Sequence, residues 1–403
     1  MKQPHVSSTA LSQITYRYDC LRGLFQGLLD AAWMTFLVLI AIRCFNASAT
    51  IKACIVSAGF WGYFCNPVIM KFAKLTGFKN STLAGVYYIT SGLLMLLAAS
   101  TPYLWVYTSL VIVWQFVSCQ VGPIMIQTYA ENYEKHERGQ RCSTTFLFAA
   151  IMGSIFSYFG GRLLDSRLAY YSWILMAIGL GSFMAAFFVM KIPSSPLKME
   201  SSGNIRQSLS LFWKDKLFGW ISLAWTLMSL GQWMISPLRI EYMANPQYGC
   251  SASNKEIAII TFIVPAISQI ISLKVWGYAF DKINFIFLRI IINLCAMLGI
   301  LIFFHSTDLL VLGIATALMG FSSGGSMLTS NIWVTKIATK ENVSSYMSAH
   351  VWVSGLRGLL APFLGFFFLA KTNPHTVSYV VNAVGLLSIA MFLWAKSHHR
   401  MQA

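Results

Sequence analysis

Apolar runs that return along the whole chain constrain its fold more than any other feature. About twelve such runs, each roughly 20 to 28 residues long, are separated by short polar breaks. A helix needs about 20 apolar residues to cross about 30 Å of hydrocarbon. The composition agrees, because 57% of the residues are hydrophobic and only 10% are charged. The sequence therefore predicts an all-α membrane protein with 12 transmembrane helices.

The predicted spans follow one another with short connections. No apolar stretch of the kind found in a signal peptide precedes the first span, so we expect no cleaved leader. The spans cover residues 19–43, 51–73, 81–100, 103–129, 143–165, 168–190, 217–240, 254–279, 285–304, 308–334, 344–370 and 374–395.

The positive charges indicate how the chain is oriented. The net charge is +16, and of the 29 Lys and Arg residues 19 fall in the tails and loops on one side, against 7 on the other. Because cytoplasmic loops usually carry the excess of Lys and Arg, we expect both termini in the cytoplasm. We expect the protein in the plasma (inner) membrane. The basic character is explained by topology and by contact with anionic membrane lipids, so we expect no nucleic-acid partner.

The longest polar stretch divides the chain in two. Residues 191–216 are rich in Ser, Pro and Lys, which is typical of a cytoplasmic linker between an N-terminal bundle at 1–190 and a C-terminal bundle at 217–403. A shift of 202 residues aligns Gly153 with Gly355, each in the fifth span of its half. The sequence predicts two pseudo-symmetric six-helix bundles with a binding site between them near the middle of the membrane.

The layout and one loop motif resemble the major facilitator superfamily over nearly the full length. The loop after the eighth span reads Gly277-Tyr278-Ala279-Phe280-Asp281-Lys282, similar to the family pattern of Gly, three residues, Asp, then Arg or Lys. The equivalent loop after the second span lacks the Asp. The resemblance implies a transporter that works by alternating access, with Asp281 and Lys282 as gating residues.

A gating contact at Asp281 also has a physical basis. A carboxylate at the cytoplasmic end of a helix interacts favourably with the N-terminus of another helix. We expect it near the start of the fifth span, where Arg141 is the nearest basic residue and Ser143 and Thr144 cap the first turn. The alternative is an ordinary solvated charge at a helix end.

Polar residues recur on one face of the first span. Arg22, Gln26 and Asp30 follow one another at intervals of four, so they share a helical face. The family resemblance implies that the first, fourth, seventh and tenth spans line the central cavity. A desolvated Asp exchanges a proton as its surroundings change, so Asp30 is the leading candidate for proton coupling or cation sensing. The alternative is a structural hydrogen bond between helices.

The eleventh span carries a second polar stripe. Tyr346, His350, Ser354 and Arg357 lie at intervals of four, four and three. The planar guanidinium of Arg357 matches a carboxylate or phosphate group, and His350 titrates near neutral pH when unperturbed. The alternative is a salt bridge between helices, with a buried His that bonds to a backbone carbonyl.

The remaining candidates are uncharged. Glutamines and small polar groups beside tryptophan suit a small polar solute, although the small residues of the tenth span are equally explained by close helix packing. These candidates for substrate binding are Gln115, Gln120, Trp225, Gln232 and Ser326.

The sequence favours a secondary active transporter of a small polar or anionic organic solute, with a proton or another ion as its coupling partner. No nucleophile with its base, metal-ligand cluster or phosphate-binding loop is visible, so we expect neither an enzyme nor a cofactor nor a metal. Proton-linked efflux of amphipathic compounds is the alternative, although the Gly160-Gly161 pair lacks the preceding Gly-Pro of drug antiporters. A scaffold or receptor that transports nothing is a further alternative. We expect a monomer.

Overall fold

The computed structural model describes residues 8–134, 136–197, 205–336 and 343–396. This part of the chain is helical apart from its turns, and a single isolated antiparallel bridge joins Lys79 to Pro196. The predicted all-α architecture is confirmed.

The first half of the chain supplies six long helices. Helix α1 begins as Ser8–Ala31, passes through a π-helical turn at Ala32–Phe36 and ends as Leu37–Arg43. It is followed by α2 at Ala49–Leu75, α3 at Asn80–Ala99, α4 at Leu104–Ser118 and Val121–Asn132, α5 at Arg138–Ser166 and α6 at Tyr171–Met190.

The second half begins with a short helix that the polar composition of 191–216 did not indicate, α7 at Ile205–Lys214. The long helices are α8 at Lys216–Ala244, α9 at Asn254–Ala258 continuing through a π-helical turn at Ile259–Ile263 to Val264–Lys282, α10 at Phe285–Phe304, α11 at Leu309–Ile332, α12 at Val343–Lys371 and α13 at Pro374–Lys396.

Eleven of the described helices are long and apolar enough to cross a membrane. The remaining long helix, α8, has 29 residues, but Gln232 and several serines and tryptophans interrupt its apolar run. It stands where the seventh span is predicted. The chain is therefore an integral, multi-pass membrane protein.

The helices group into two compact units, one from 1–47 and 58–200, the other from 48–57 and 201–403. The same pairs of helices pack in each. In the first unit, α1 packs on α5 and α6, and α3 packs on α4 and α6. In the second, α8 packs on α12 and α13, and α10 packs on α11 and α13. This repeated pairing is the structural form of the predicted pseudo-symmetry.

Close helix packing explains one glycine of α1. A Cβ at Gly27 would overlap the Ala149 carbonyl and the Gly153 amide of α5. The absence of a side chain lets the two backbones approach, as small residues do at helix interfaces in membranes. The polar face of α1 is thereby held close to α5.

Two predicted helix starts were wrong. Helix α1 begins at Ser8 and α5 at Arg138, each well before its apolar run. Water satisfies polar backbone and side chains beyond the hydrocarbon, so a helix need not end where the apolar residues do. Ser143 and Thr144 therefore lie inside α5, and their hydroxyls donate to the Gln140 carbonyl at 2.8 and 3.0 Å. They do not cap the helix.

Three of the basic residues that the charge count places in loops are buried within helices. Arg289 lies within α10 and is fully buried, while Lys52 in α2 and Arg239 in α8 are 8% and 9% exposed. Hydropathy alone assigns a charge near the end of an apolar run to the adjacent loop. Moving these residues into the helices leaves the charge bias between the two sides in the same direction.

Candidate functional site

A buried ion pair anchors the polar face of α1. The Arg22 Nε donates to Asp19 Oδ1 at 2.8 Å, and the Asp19 side chain is fully buried. Asp19 Oδ1 also accepts from the Tyr129 hydroxyl at 3.0 Å, and its Oδ2 accepts from Thr145 at 2.7 Å. A buried carboxylate with a cation and two hydroxyl donors is well compensated for its loss of water. Asp19 is therefore held by side chains from α1, α4 and α5.

Arg22 distributes its remaining donors between two tyrosines. Its Nη1 donates to the Tyr88 hydroxyl at 2.8 Å and its Nη2 to the Tyr129 hydroxyl at 3.1 Å. Since a guanidinium only donates, each tyrosine accepts from Arg22 and must direct its own proton elsewhere. Arg22 thereby fixes the direction of the hydrogen bonds beyond it.

A chain of hydrogen bonds leads from Arg22 to Asp30. The Tyr88 hydroxyl donates to Gln26 Oε1 at 2.6 Å, and Gln26 Nε2 donates to Asp30 Oδ1 at 2.8 Å. Asp30 is only half-buried, whereas Arg22 is 5% exposed. These hydrogen bonds therefore connect a buried cation to a carboxylate that is only partly buried.

The helix changes its winding directly after Asp30. Residues Ala32–Phe36 form a π-helical turn, and such turns are frequent at functional sites. Trp33 lies in this turn, and its ring occupies the space beside Gly59 of α2. The turn thus follows the last polar residue of the α1 stripe.

Sequence reasoning placed Arg22, Gln26 and Asp30 on one face, and the structure joins them in one chain. It missed Asp19, Tyr88, Tyr129 and Thr145. Asp19 had a visible signal, because it precedes Arg22 by three residues and so shares its face. The tyrosines and Thr145 had none, since they come from α3, α4 and α5.

A second polar cluster lies in the second unit around Trp225. The guanidinium carbon of Arg289 is 3.7 Å from the centroid of the Trp225 ring. Arg289 Nη1 donates to the Ser326 hydroxyl at 2.9 Å and is 3.4 Å from the Thr329 hydroxyl. Trp225 and Ser326 were predicted site residues, and the structure brings them together through Arg289, which was not.

His350 packs edge-on against two indole rings. Its ring centroid is 5.7 Å from that of Trp225 and 5.2 Å from that of Trp333, both edge-on. Arg357 lies further along α12, where its Nη2 donates to the Ser354 hydroxyl at 2.7 Å. Among the described residues Arg357 has no carboxylate partner, so the alternative of a salt bridge is not seen there.

The uncharged candidates differ in their surroundings. Gln120 is 1% exposed, accepts from Asn66 at 2.7 Å and donates to the Gly62 carbonyl at 3.0 Å. These bonds join α2 to α4, so Gln120 is engaged in helix packing. Gln115 is also buried, whereas Gln232 of α8 is half-buried.

The predicted gating residues Arg141 and Lys282 each have described contacts within their own unit. Arg141 pairs with Glu137 through two 2.9 Å contacts and donates to the Ser12 carbonyl at 3.1 Å. Lys282 is exposed at the end of α9, with its Nζ 6.0 Å from the Tyr278 ring centroid. The side chain of Asp281 lies outside the described residues.

An open cavity of about 760 Å³ lies where α8 and α10 end. Its wall includes Tyr242, Tyr248, His305 and His375, together with residues of the adjacent loops. None of the predicted site residues contributes to its wall. The charged candidate residues belong instead to the polar clusters of α1 and around Trp225.

Comparison with known proteins agrees with this architecture. The profile of the Major Facilitator Superfamily matches residues 23–362. No curated protein matches the chain. Among solved structures, the nucleoside transporter NupG superposes with a TM-score of 0.76 at 11% identity, covering 96% of this chain and 99% of that one.

Two further structures are similar. The D-xylose–proton symporter has a TM-score of 0.70 at 13% identity, with 94% of this chain and 97% of the symporter covered. A bacterial homologue of the human lysosomal transporter Spinster, inward-facing and occupied, has a TM-score of 0.69 at 12% identity, with 98% of both chains covered. At these identities the likeness concerns the fold, whereas the profile match spans most of the sequence. The chain belongs to the Major Facilitator Superfamily.

Proposed function

We propose that the protein is a secondary active transporter that moves a small polar or anionic organic solute by alternating access, driven by protons. The observation that carries the proposal is the hydrogen-bonded chain from Arg22 through Tyr88 and Gln26 to the half-buried Asp30. The similar fold of a nucleoside transporter and of a xylose–proton symporter supports transport of a polar solute.

Asp30 is the proposed proton carrier. Every donor in the chain is directed toward it, so the ionised carboxylate is the state that the chain stabilises. Protonation removes the negative charge that Gln26 Nε2 contacts and weakens that hydrogen bond, since bonds to charged acceptors are roughly twice as strong as neutral ones. Asp19 keeps its own bonds to Arg22, Tyr129 and Thr145. Proton binding at Asp30 would thus weaken its hydrogen bond to Gln26 without breaking the ion pair between Asp19 and Arg22.

Arg357 is the proposed contact for a negative group of the solute. Arg357 is 9% exposed, and its guanidinium is held by the half-buried Ser354. Trp225, Gln232, Ser326 and His350 complete the proposed site on the second unit. Guanidinium recognises carboxylate and phosphate through a planar fork that Lys lacks.

Several further features belong to the same proposal. Residues 1–190 and 217–403 would be the moving bodies, joined by the cytoplasmic linker at 191–216, with both termini cytoplasmic in the plasma (inner) membrane. Asp281 and Lys282 are proposed gating residues, and the bonds of Arg141 to Glu137 and Ser12 support a structural role for that arginine. We propose a monomer surrounded by anionic lipids, with no enzymatic activity and no cofactor.

Ligand binding and transport by the purified full-length protein test the proposal. Melting temperatures are measured against panels of polar and anionic metabolites and of amphipathic drugs, because a ligand of the native state raises its stability. Stabilising metabolites are then tested for uptake into proteoliposomes with and without an inward proton gradient. Stabilisation by amphipathic drugs alone favours efflux, and binding without any uptake favours a receptor.

A further inference from the structure

Two buried arginines of the second unit hold donor groups without partners among the described residues. These are Nε and Nη2 of Arg289, which is fully buried, and Nε and Nη1 of Arg357, which is 9% exposed. Buried polar atoms are almost always hydrogen-bonded in native proteins, and an unpaired buried charge is costly. Four unpaired donors on two cations of one unit therefore indicate a missing acceptor.

The described carboxylates of this unit are committed elsewhere. Glu241 pairs with Lys52, and Glu256 forms a capping box with Ser253. Asp308 caps α11, and Asp215 caps α8 while accepting from Tyr346 at 2.9 Å. Within the described ranges, no acidic side chain of the unit is paired with either arginine. The acceptor must come from outside this set.

The two arginines belong to one series of contacts. The Trp225 ring that contacts Arg289 also packs against His350, with ring centroids 5.7 Å apart. The His350 carbonyl accepts at 2.8 Å from Ser354, the residue that holds Arg357. The guanidinium of Arg289 lies over the face of the Trp225 ring, and its Nη1 donates to Ser326, which is half-buried. Arg357 is fixed by Ser354. Each arginine is thus oriented by one of its amino groups while other donors stay unused, as in a preorganised anion site.

The charge of the cluster selects the class of ligand. Two guanidinium groups carry two positive charges, so a single carboxylate would leave one of them uncompensated. A phosphate monoester carries a charge of about −1.5 to −2 at pH 7 and offers three acceptor oxygens on one centre. Arginine forks match those oxygens in pairs. A phosphate group thus satisfies both charges at a single point.

We infer that Arg289 and Arg357 together bind the phosphate group of a phosphorylated organic solute. This inference rests on the proposed function, since it names the class of anion that the transporter recognises. The inference adds Arg289 to the site. The ring face of Trp225 then holds the Arg289 guanidinium in place.

Binding to the full-length protein in detergent at pH 7.5 and constant ionic strength tests the inference. The probes are inorganic phosphate, glycerol 3-phosphate, succinate and acetate, and the readouts are melting temperature and tryptophan fluorescence. We expect the two phosphates to bind at least tenfold more tightly than acetate. Tighter binding of succinate than of either phosphate overturns the inference in favour of a dicarboxylate.

Three variants separate recognition from folding. Arg289→Gln and Arg357→Gln should each weaken phosphate binding at least tenfold without lowering the melting temperature of the ligand-free protein, because each removes an unpaired buried charge. Arg289→Lys keeps the charge but loses the planar fork of the guanidinium. This variant should fold, and it should bind phosphate more weakly than the wild type does. Lower ligand-free stability with unchanged phosphate affinity overturns the inference.

Arg239→Gln is the matched control. Arg239 is a third buried arginine of the same unit, and its Nη1 lies 3.7 Å from the Met319 sulfur. We expect this variant to bind glycerol 3-phosphate like the wild type, and an equal loss there contradicts a site specific to Arg289 and Arg357. Proton-driven uptake of an unphosphorylated solute, with no phosphate binding, overturns the inference while the proposed function stands.

Discussion

The Tyr88 hydroxyl donates a 2.6 Å hydrogen bond to the Gln26 side-chain oxygen, while it accepts one from Arg22 at 2.8 Å. This single hydroxyl connects the fixed ion pair of α1 to the pair formed by Gln26 and Asp30. The residues that it joins are otherwise separated by one turn of helix. Tyr88 thus determines whether the two parts of the stripe act as one network.

Tyr88→Phe should separate these two parts. The change leaves Gln26 without its donor and Arg22 without one acceptor, so we expect a loss of stability of about 1–3 kcal/mol. The pH dependence of uptake should also shift, because Gln26 is then free to reorient beside Asp30. Thermal unfolding and uptake between pH 5.5 and 8.5 measure both effects. Tyr87→Phe, at the preceding residue of α3, is the control, and an equal effect there contradicts the network.

A buried ion pair in the second unit gives a second prediction. Lys52 Nζ lies 2.6 Å from Glu241 Oε2, with both side chains at most 10% exposed. Removing one partner strands the other charge, so Lys52→Met or Glu241→Gln should each cost about 3–5 kcal/mol, whereas the double change should cost much less. Unfolding of the four proteins forms a double-mutant cycle. Additive losses would mean that the two charges do not interact.

Cys44 gives a prediction about pH. Burial raises the pKa of its thiol to about 11, and the nearby Arg43 charge only partly offsets this. Since the thiolate is the reactive form, only about one thiol in a thousand is ionised at pH 8. Alkylation of the Cys44 peptide, followed by mass spectrometry, should accelerate about tenfold per pH unit from 7 to 9.5. A rate that levels off near pH 8.5, as in the denatured protein, contradicts a raised pKa.

The sequence was sufficient for the architecture because the bilayer imposes a length and an apolar composition on every span. The same rule explains its errors. Arg289 sits close to the start of an apolar run, where hydropathy does not separate a buried charge from a loop charge. The helix at Ile205–Lys214 was missed because its segment is polar overall, although Phe212 packs on Phe218 with ring centroids 5.0 Å apart.

The candidate site was predictable only where it is local. The interval of four residues between Gln26 and Asp30 places their side chains within hydrogen-bond reach on a helix. Tyr88 and Tyr129 come from other helices, and no periodicity in α1 indicates which tyrosines will meet Arg22. The same applies to Trp225 and Arg289, which lie far apart in sequence and meet only through the packing of the second unit. Contacts of this kind depend on how helices associate.

Uptake by an Asp30→Asn variant tests the central claim most directly. The solute is the metabolite that most stabilises the wild type, and Asp308→Asn, which keeps a capping side chain, is the control. In proteoliposomes with an inward proton gradient, we expect Asp30→Asn to lose accumulation but retain solute counterflow, while Asp308→Asn retains both. Accumulation by Asp30→Asn with the pH dependence of the wild type would contradict proton coupling through Asp30.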